Sequence, residues 1–218
     1  PTFSWSTSTR FLAFLGGSST FFLMPVFVQS FMGHDQRSAG MIMFVGAVGM
    51  GLASQLSGRL SDRYGFRRFT FIGIGTLIVT NVWFSFFVSD TPLWIVMPVL
   101  FANGLGMGMW MAPNMSATLS TVGRGDLGSM SAFLNLVRNV GTVIGQALAT
   151  AIIAGIMLSR GVEVQLNELA DSTDPNVTGA FLDGWSLTFL VFAAVTAVAL
   201  FAAIRTKVYT GDLEPKNS

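Results

Sequence analysis

Five polar residues recur within one apolar run of this sequence: Asn135, Arg138, Asn139, Thr142 and Gln146. At ~100° per residue they fall on one face of a helix, within about a third of its circumference. The chemistry open to such a row is recognition and charge compensation. A guanidinium among amides can hold a carboxylate or another anionic group, and it cannot realistically shed its own proton. The bland alternative for Arg138 is that its long stem carries the charge out to the nearer aqueous face. Bond-making chemistry is poorly supplied. One histidine, His34, and no cysteine cannot assemble a metal site or a catalytic triad. The run Gly104-Leu105-Gly106 has the look of a dinucleotide fingerprint, but no strand precedes it and no acid follows ~20 positions later.

The elements that must position these residues are apolar helices. Half of the chain is hydrophobic, 11% is charged, and it holds 20 Phe and 24 Gly, so lipid and not water is the expected solvent. Six stretches approach the ~20 residues a helix needs to cross the hydrocarbon core. They run over 11–32, 38–56, 69–88, 93–117, 129–158 and 185–204. An all-helical unit over 1–208 follows, with 209–218 as a tail. Pro98 and Pro113 interrupt the fourth stretch, and irregular Gly/Pro-rich helices are where membrane bundles place sites. Asn103, Trp110 and Asn114 are therefore candidate cavity residues. Gly104 with Gly108, and Gly141 with Gly145, have the spacing that lets helix backbones approach closely.

Charge sets the orientation. With both ends of the segment cytoplasmic, nine of the twelve Lys and Arg residues lie inside: Arg10, Arg59, Arg63, Arg67, Arg68, Arg124, Arg205, Lys207 and Lys216. Arg37 and Arg160 then lie outside, where the long connection Ser159 to Gly184 holds Glu163, Glu168, Asp171, Asp174 and Asp183. These bases are spread by topology and form no patch with interleaved aromatics, so nucleic acid is not an expected partner. The Arg124-Gly125-Asp126 tripeptide falls in a turn where Asp126 is placed to cap the fifth helix. The chain opens on Pro1 without an initiator Met, which is expected of a piece of a longer protein.

The charged reversal Gly58-Arg59-Leu60-Ser61-Asp62-Arg63-Tyr64-Gly65-Phe66-Arg67-Arg68 resembles the loop signature of the major facilitator superfamily. Gly58, Leu60, Asp62, Arg63 and Gly65 match it position by position. Phe66 departs from it, standing where the family usually has a base, with Arg67 and Arg68 one step later. The run from Gly128 to Leu148 resembles multidrug exporters of the EmrB/QacA type, a drug:proton antiporter branch with fourteen spans, through Asn135, Arg138, Gly141 and Gly145. The resemblance implies one half of that fold, the C-terminal six helices arranged as inverted three-helix repeats. Its loop would act as a switch, with Asp62 pairing to a base or a helix end as the halves rock.

By the same resemblance the function is export of amphipathic organic compounds across the plasma membrane, the bacterial inner membrane. No cofactor is implied, and a proton gradient would drive transport. Partners would be membrane lipid, the N-terminal half and the small-molecule cargo. None of the six stretches contains Asp or Glu, so the proton-carrying carboxylate would belong to the other half. A facilitator for sugars or organic anions is the alternative within the fold, with Arg138 meeting a carboxylate instead of gating the cytoplasmic side. A reading of another class is a non-transporting six-helix scaffold or partner subunit.

Overall fold

In a computed structural model of the chain, the described residues are 2–17, 19–119, 122–123, 125–162 and 175–205. They are all-helical: α1 (Thr2–Gly17), α2 (Ser19–Ser30), α3 (Gln36–Tyr64), α4 (Phe66–Phe84), α5 (Leu93–Leu119), α6 (Leu127–Ser159) and α7 (Pro175–Arg205). The tail 209–218, Lys207, Arg124, Glu163, Glu168, Asp171 and Asp174 lie outside the described residues.

Five stretches are long and apolar enough to cross a membrane: Thr7–Ser30, Gln36–Ser61, Leu93–Ser116, Leu127–Ser159 and Pro175–Ile204. The first of them joins α1 and α2. Poor helix formers, Gly16, Gly17 and Ser19, interrupt it. Gly16 also sits where a Cβ would run into Thr196 Oγ1 on α7. The sixth helix, α4, is shorter at 19 residues and opens on Arg67 and Arg68. At 1.5 Å per residue it still spans roughly 28 Å, and it packs between α5 and α7.

Helix neighbours repeat under exchange of the first three spans with the last three. The α3–α5 contact corresponds to α6–α1, α4–α5 corresponds to α7–α1, and α4–α7 maps onto itself. Because the fourth span starts at the opposite end of the bundle from the first, the two triplets are inverted repeats. Glycine makes the closest approaches. A Cβ on Gly104 would overlap the Gly46 carbonyl of α3, and one on Gly145 would overlap the Leu15 carbonyl of α1. A Cβ on Gly141 would lie 2.9 Å from the Phe11 carbonyl, and Gly108 is equally confined against Met50.

Three boundaries differ from the sequence reading. The helix α3 continues through Gly58, Leu60, Asp62 and Arg63 to Tyr64, so the charged segment is not a long turn. The whole reversal is compressed into Gly65, which has φ +82° and donates its N–H to the Ser61 carbonyl at 2.9 Å. The first helix begins at Thr2 and its membrane-length stretch at Thr7, not at Phe11, because the polar Ser/Thr run is itself helical, with Thr9 Oγ1 returning a hydrogen bond to the Trp5 carbonyl at 2.9 Å. The last span begins at Pro175 and not at 185. Pro suits the first helical turn, and Phe181 is buried by stacking on Phe31 at 4.2 Å. Asp183, expected in a loop, thus lies on α7.

Coverage is uneven. About 28% of the membrane-length portions of α3 and α6 is buried, against 50% in α5 and 44% in α7. The bare helices occupy equivalent places in the two repeats. On α3, Met41, Phe44, Val48, Leu52, Leu56 and Leu60 form one exposed apolar stripe.

Candidate functional site at the basic end of the bundle

One end of the bundle carries the α1 N-terminus, the reversal at Gly65, the α5–α6 connection and the end of α7. Arg10 lies two turns into α1, and only 3% of it is exposed. Its Nε donates to the Leu134 carbonyl on α6 at 3.2 Å, and its Nη1 donates to Asn114 Oδ1 on α5 at 3.4 Å. The guanidinium stands 5.4 Å from the centre of the Phe14 ring, and that of Arg138 stands 6.0 Å from the same ring. Phe14 also meets Trp110 edge-on at 5.1 Å. Two cations therefore share one ring. Among the described residues no carboxylate pairs with either; the ion pair Arg160–Asp183 is at the opposite end.

Beside this cluster a small cavity of about 20 Å³ is lined by Thr9, Arg67, Thr70 and Asn114. Arg67 stacks on Phe71 at 5.5 Å and donates to the Ile204 carbonyl of α7 at 3.4 Å. Arg63 lies over Tyr64 at 5.7 Å. Of the loop residues, Gly58 has open space where a Cβ would stand, as does Gly65. Leu60 is exposed, Arg68 is also exposed, and the side chain of Asp62 lies outside the described set. Nothing among the described residues therefore requires glycine at 58.

The sequence-derived cavity residues separate into two groups. Asn103, Trp110 and Asn114 point into the six-helix bundle. Asn103 Nδ2 donates to Thr80 Oγ1 at 2.9 Å across α4 and α5, and the indole N–H of the fully buried Trp110 has no partner among the described residues. Asn135, Arg138 and Asn139 are exposed on α6, with Thr142 and Gln146 half-buried. The two groups meet only at their basic end, where Arg10 and Phe14 bridge Asn114 to Arg138. Asp126 occupies the N-cap position of α6, though its carboxylate makes no capping hydrogen bond.

Sequence reasoning missed Arg10 by counting it only among the cytoplasmic bases. The signal available was the Ser/Thr run before it, whose helical potential places Arg10 inside the span. It also missed Asn81, whose Nδ2 donates to the Gly16 carbonyl at 3.1 Å and reaches Thr196 Oγ1 at 3.5 Å, closing the broken first span against α7. A separate groove of about 720 Å³ between α4 and α5 opens on the outer surface beside Trp83 and Trp94 and is lined mainly by apolar side chains.

An all-helical bundle of inverted triplets, closed by glycine contacts and built from helices long and apolar enough to cross a membrane, is the architecture of a membrane-embedded, multi-pass protein. The family model for the Major Facilitator Superfamily matches residues 7–217, and the chain belongs to that family. Among its relatives, the uncharacterized MFS-type transporter YcnB of Bacillus subtilis is 30% identical over 91% of this chain and 39% of its own length. The lincomycin resistance protein LmrB of Listeria monocytogenes is 25% identical over 90% of the chain and 41% of the relative. The riboflavin transporter RibZ of Clostridioides difficile is 27% identical over 61% of the chain and 29% of the relative. The chain spans roughly a third of the length of these relatives.

Proposed function

We propose that this segment is the C-terminal six-helix half of a fourteen-span, proton-coupled exporter of amphipathic organic compounds, working in the plasma membrane with both ends of the segment cytoplasmic. The observation that carries the reading is the uncovered pair α3 and α6. These repeat-related helices leave an apolar stripe and a polar row without cover from the described residues. Polar side chains facing hydrocarbon cost several kcal/mol, so the row on α6 belongs against an aqueous cavity or the N-terminal half. Rocking of the two halves would open that cavity alternately to each side. The lincomycin resistance relative, matched along 90% of the chain, supports the choice of an organic cargo.

The helices hold no acid at mid-depth. Asp62 is in the last turn of α3, and Asp183 is at the end of the bundle where it pairs with Arg160. The titrating carboxylate is accordingly assigned to the N-terminal half, while Arg67, through the α7 carbonyl, ties the switch loop to the last helix.

The test is accumulation of a fluorescent lipophilic cation in an efflux-deficient bacterium expressing the complete transporter. Accumulation should fall and be restored by a protonophore. Unchanged accumulation across amphipathic cations would sink the export reading. The second reading, uptake or exchange of an organic anion, is favoured by one observation, the exposed guanidinium of Arg138 beside buried Arg10. Under it, Arg138→Ala abolishes anion transport alone, whereas a gating role impairs every cargo alike.

A further inference from the structure

We infer that Arg10 and Arg138, placed on either side of Phe14, form a binding site for one anionic group, a carboxylate or a phosphate, carried by a molecule other than the protein. Two cations on one ring repel each other, and burial strengthens that repulsion by lowering the local dielectric. Structural arginines in such surroundings are ordinarily matched by an acid, and none is present among the described residues of these helices. Arg10 is fixed in place by the Leu134 carbonyl and Asn114, which occupy Nε and Nη1. Its Nη2 donors have no hydrogen-bond partner among the described residues. The anchoring is one-sided, as expected of a guanidinium held ready for a planar acceptor.

A second, independent observation points the same way. The Trp110 indole N–H and the Thr7 hydroxyl are buried and have no hydrogen-bond partner among the described residues. Trp110 packs on Phe14 at 5.1 Å, and Thr7 lies one turn before Arg10 on α1. Buried polar side chains without a partner are few, and of the five among the described residues Trp110 packs on the very ring that the two cations share. Access is through Arg138, which is exposed on α6. The anion enters from the uncovered face and not through the packed interior. The shared chemistry fits either a soluble organic acid or a phospholipid headgroup. The inference goes beyond the export reading and depends on neither the direction of transport nor its coupling.

The experiment uses the complete transporter in nanodiscs of phosphatidylcholine alone and of phosphatidylcholine with phosphatidylglycerol. Benzoate, inorganic phosphate and neutral benzamide are titrated by scintillation binding in the first lipid. In the second, retention of labelled phosphatidylglycerol is measured. Benzoate or phosphate binding in pure phosphatidylcholine identifies a soluble anion as the occupant, and selective retention of phosphatidylglycerol identifies a headgroup. In either case Arg138→Gln, which keeps a polar side chain and removes the charge, should weaken binding at least about tenfold, which is ~1.4 kcal/mol. Arg10→Lys should retain more binding than Arg10→Gln. Equal binding of benzamide and benzoate, absence of binding in both lipids, or affinity unchanged by Arg138→Gln would each overturn the inference.

Discussion

At the end of the bundle that carries Gly65, Arg10 and Arg138 share a ring without an acid, and Trp110 leaves a buried donor open. At the opposite end Arg160 meets Asp183, Asp35 caps α3, and the Trp185 indole donates to the Phe84 carbonyl at 2.7 Å. Around that indole Phe27 stacks at 4.6 Å and Phe189 tilts in at the same distance. The far end is a closed core whose polar atoms serve packing. The basic end keeps cationic donors in reserve, which costs stability and is consistent with recognition. An arginine in a span must therefore be judged by its partners and not by its depth alone.

The largest effect on this contrast is expected from Trp185→Ala, which empties the far core and leaves the Phe84 carbonyl with only the Phe87 N–H as its donor. A loss of about 3–5 kcal/mol is expected, read as an unfolding midpoint in detergent. A small change there would mean that the far end is not the stabilising core. Arg10→Met sharpens the comparison from the other side. Replacing an unmatched buried charge with an apolar side chain of similar length is often neutral or stabilising, so the midpoint should fall by no more than about 1 kcal/mol. A drop as large as that of Trp185→Ala would make Arg10 a structural post.

Asp183→Asn removes an ion pair whose partners are both about half exposed. It should cost only about 0.2–1 kcal/mol, and added salt should mask it. The smallest effect belongs to Asp35. Its hydrogen bonds to Ser38 draw the carboxyl below the usual aspartate range. Because the folded state holds the ionised form, this contribution is present above the unfolded aspartate pKa and lost as pH falls through the folded value. A midpoint measured from pH 6 to pH 3 should therefore decline slightly more steeply for the native chain than for Asp35→Asn.

The helical class was legible because apolar runs of membrane length leave the backbone no partner but itself. The glycine pairs were legible for a similar reason: Gly104, Gly108, Gly141 and Gly145 stand at intervals that return to one helix face. Boundaries were harder. The sequence reading stopped at charged residues, whereas α3 carries Asp62 and Arg63 within its last turns and α7 carries Asp183 within its first. Helix hydrogen bonding continues through a charge whenever that side chain can point to water, and composition does not register this.

The candidate site was legible only in halves. The row from Asn135 to Gln146 is local periodicity and needs only one helix. Arg10, Asn114 and Phe14 come together with Arg138 through contacts separated by more than a hundred positions. No spacing rule reaches so far.

Composition and short periods were enough to show that this chain is a bundle of membrane helices, that Gly104, Gly108, Gly141 and Gly145 admit close contact, and where its charges gather, whereas the equally confined Gly16, Gly49, Gly73 and Gly184 carry no such local pattern. Tertiary structure alone decided that Asn103 and Trp110 turn inward, that α3 and α6 stay uncovered, and that two arginines meet over one ring. Each of those outcomes depends on which helix lies beside which, and packing between distant segments sets that arrangement.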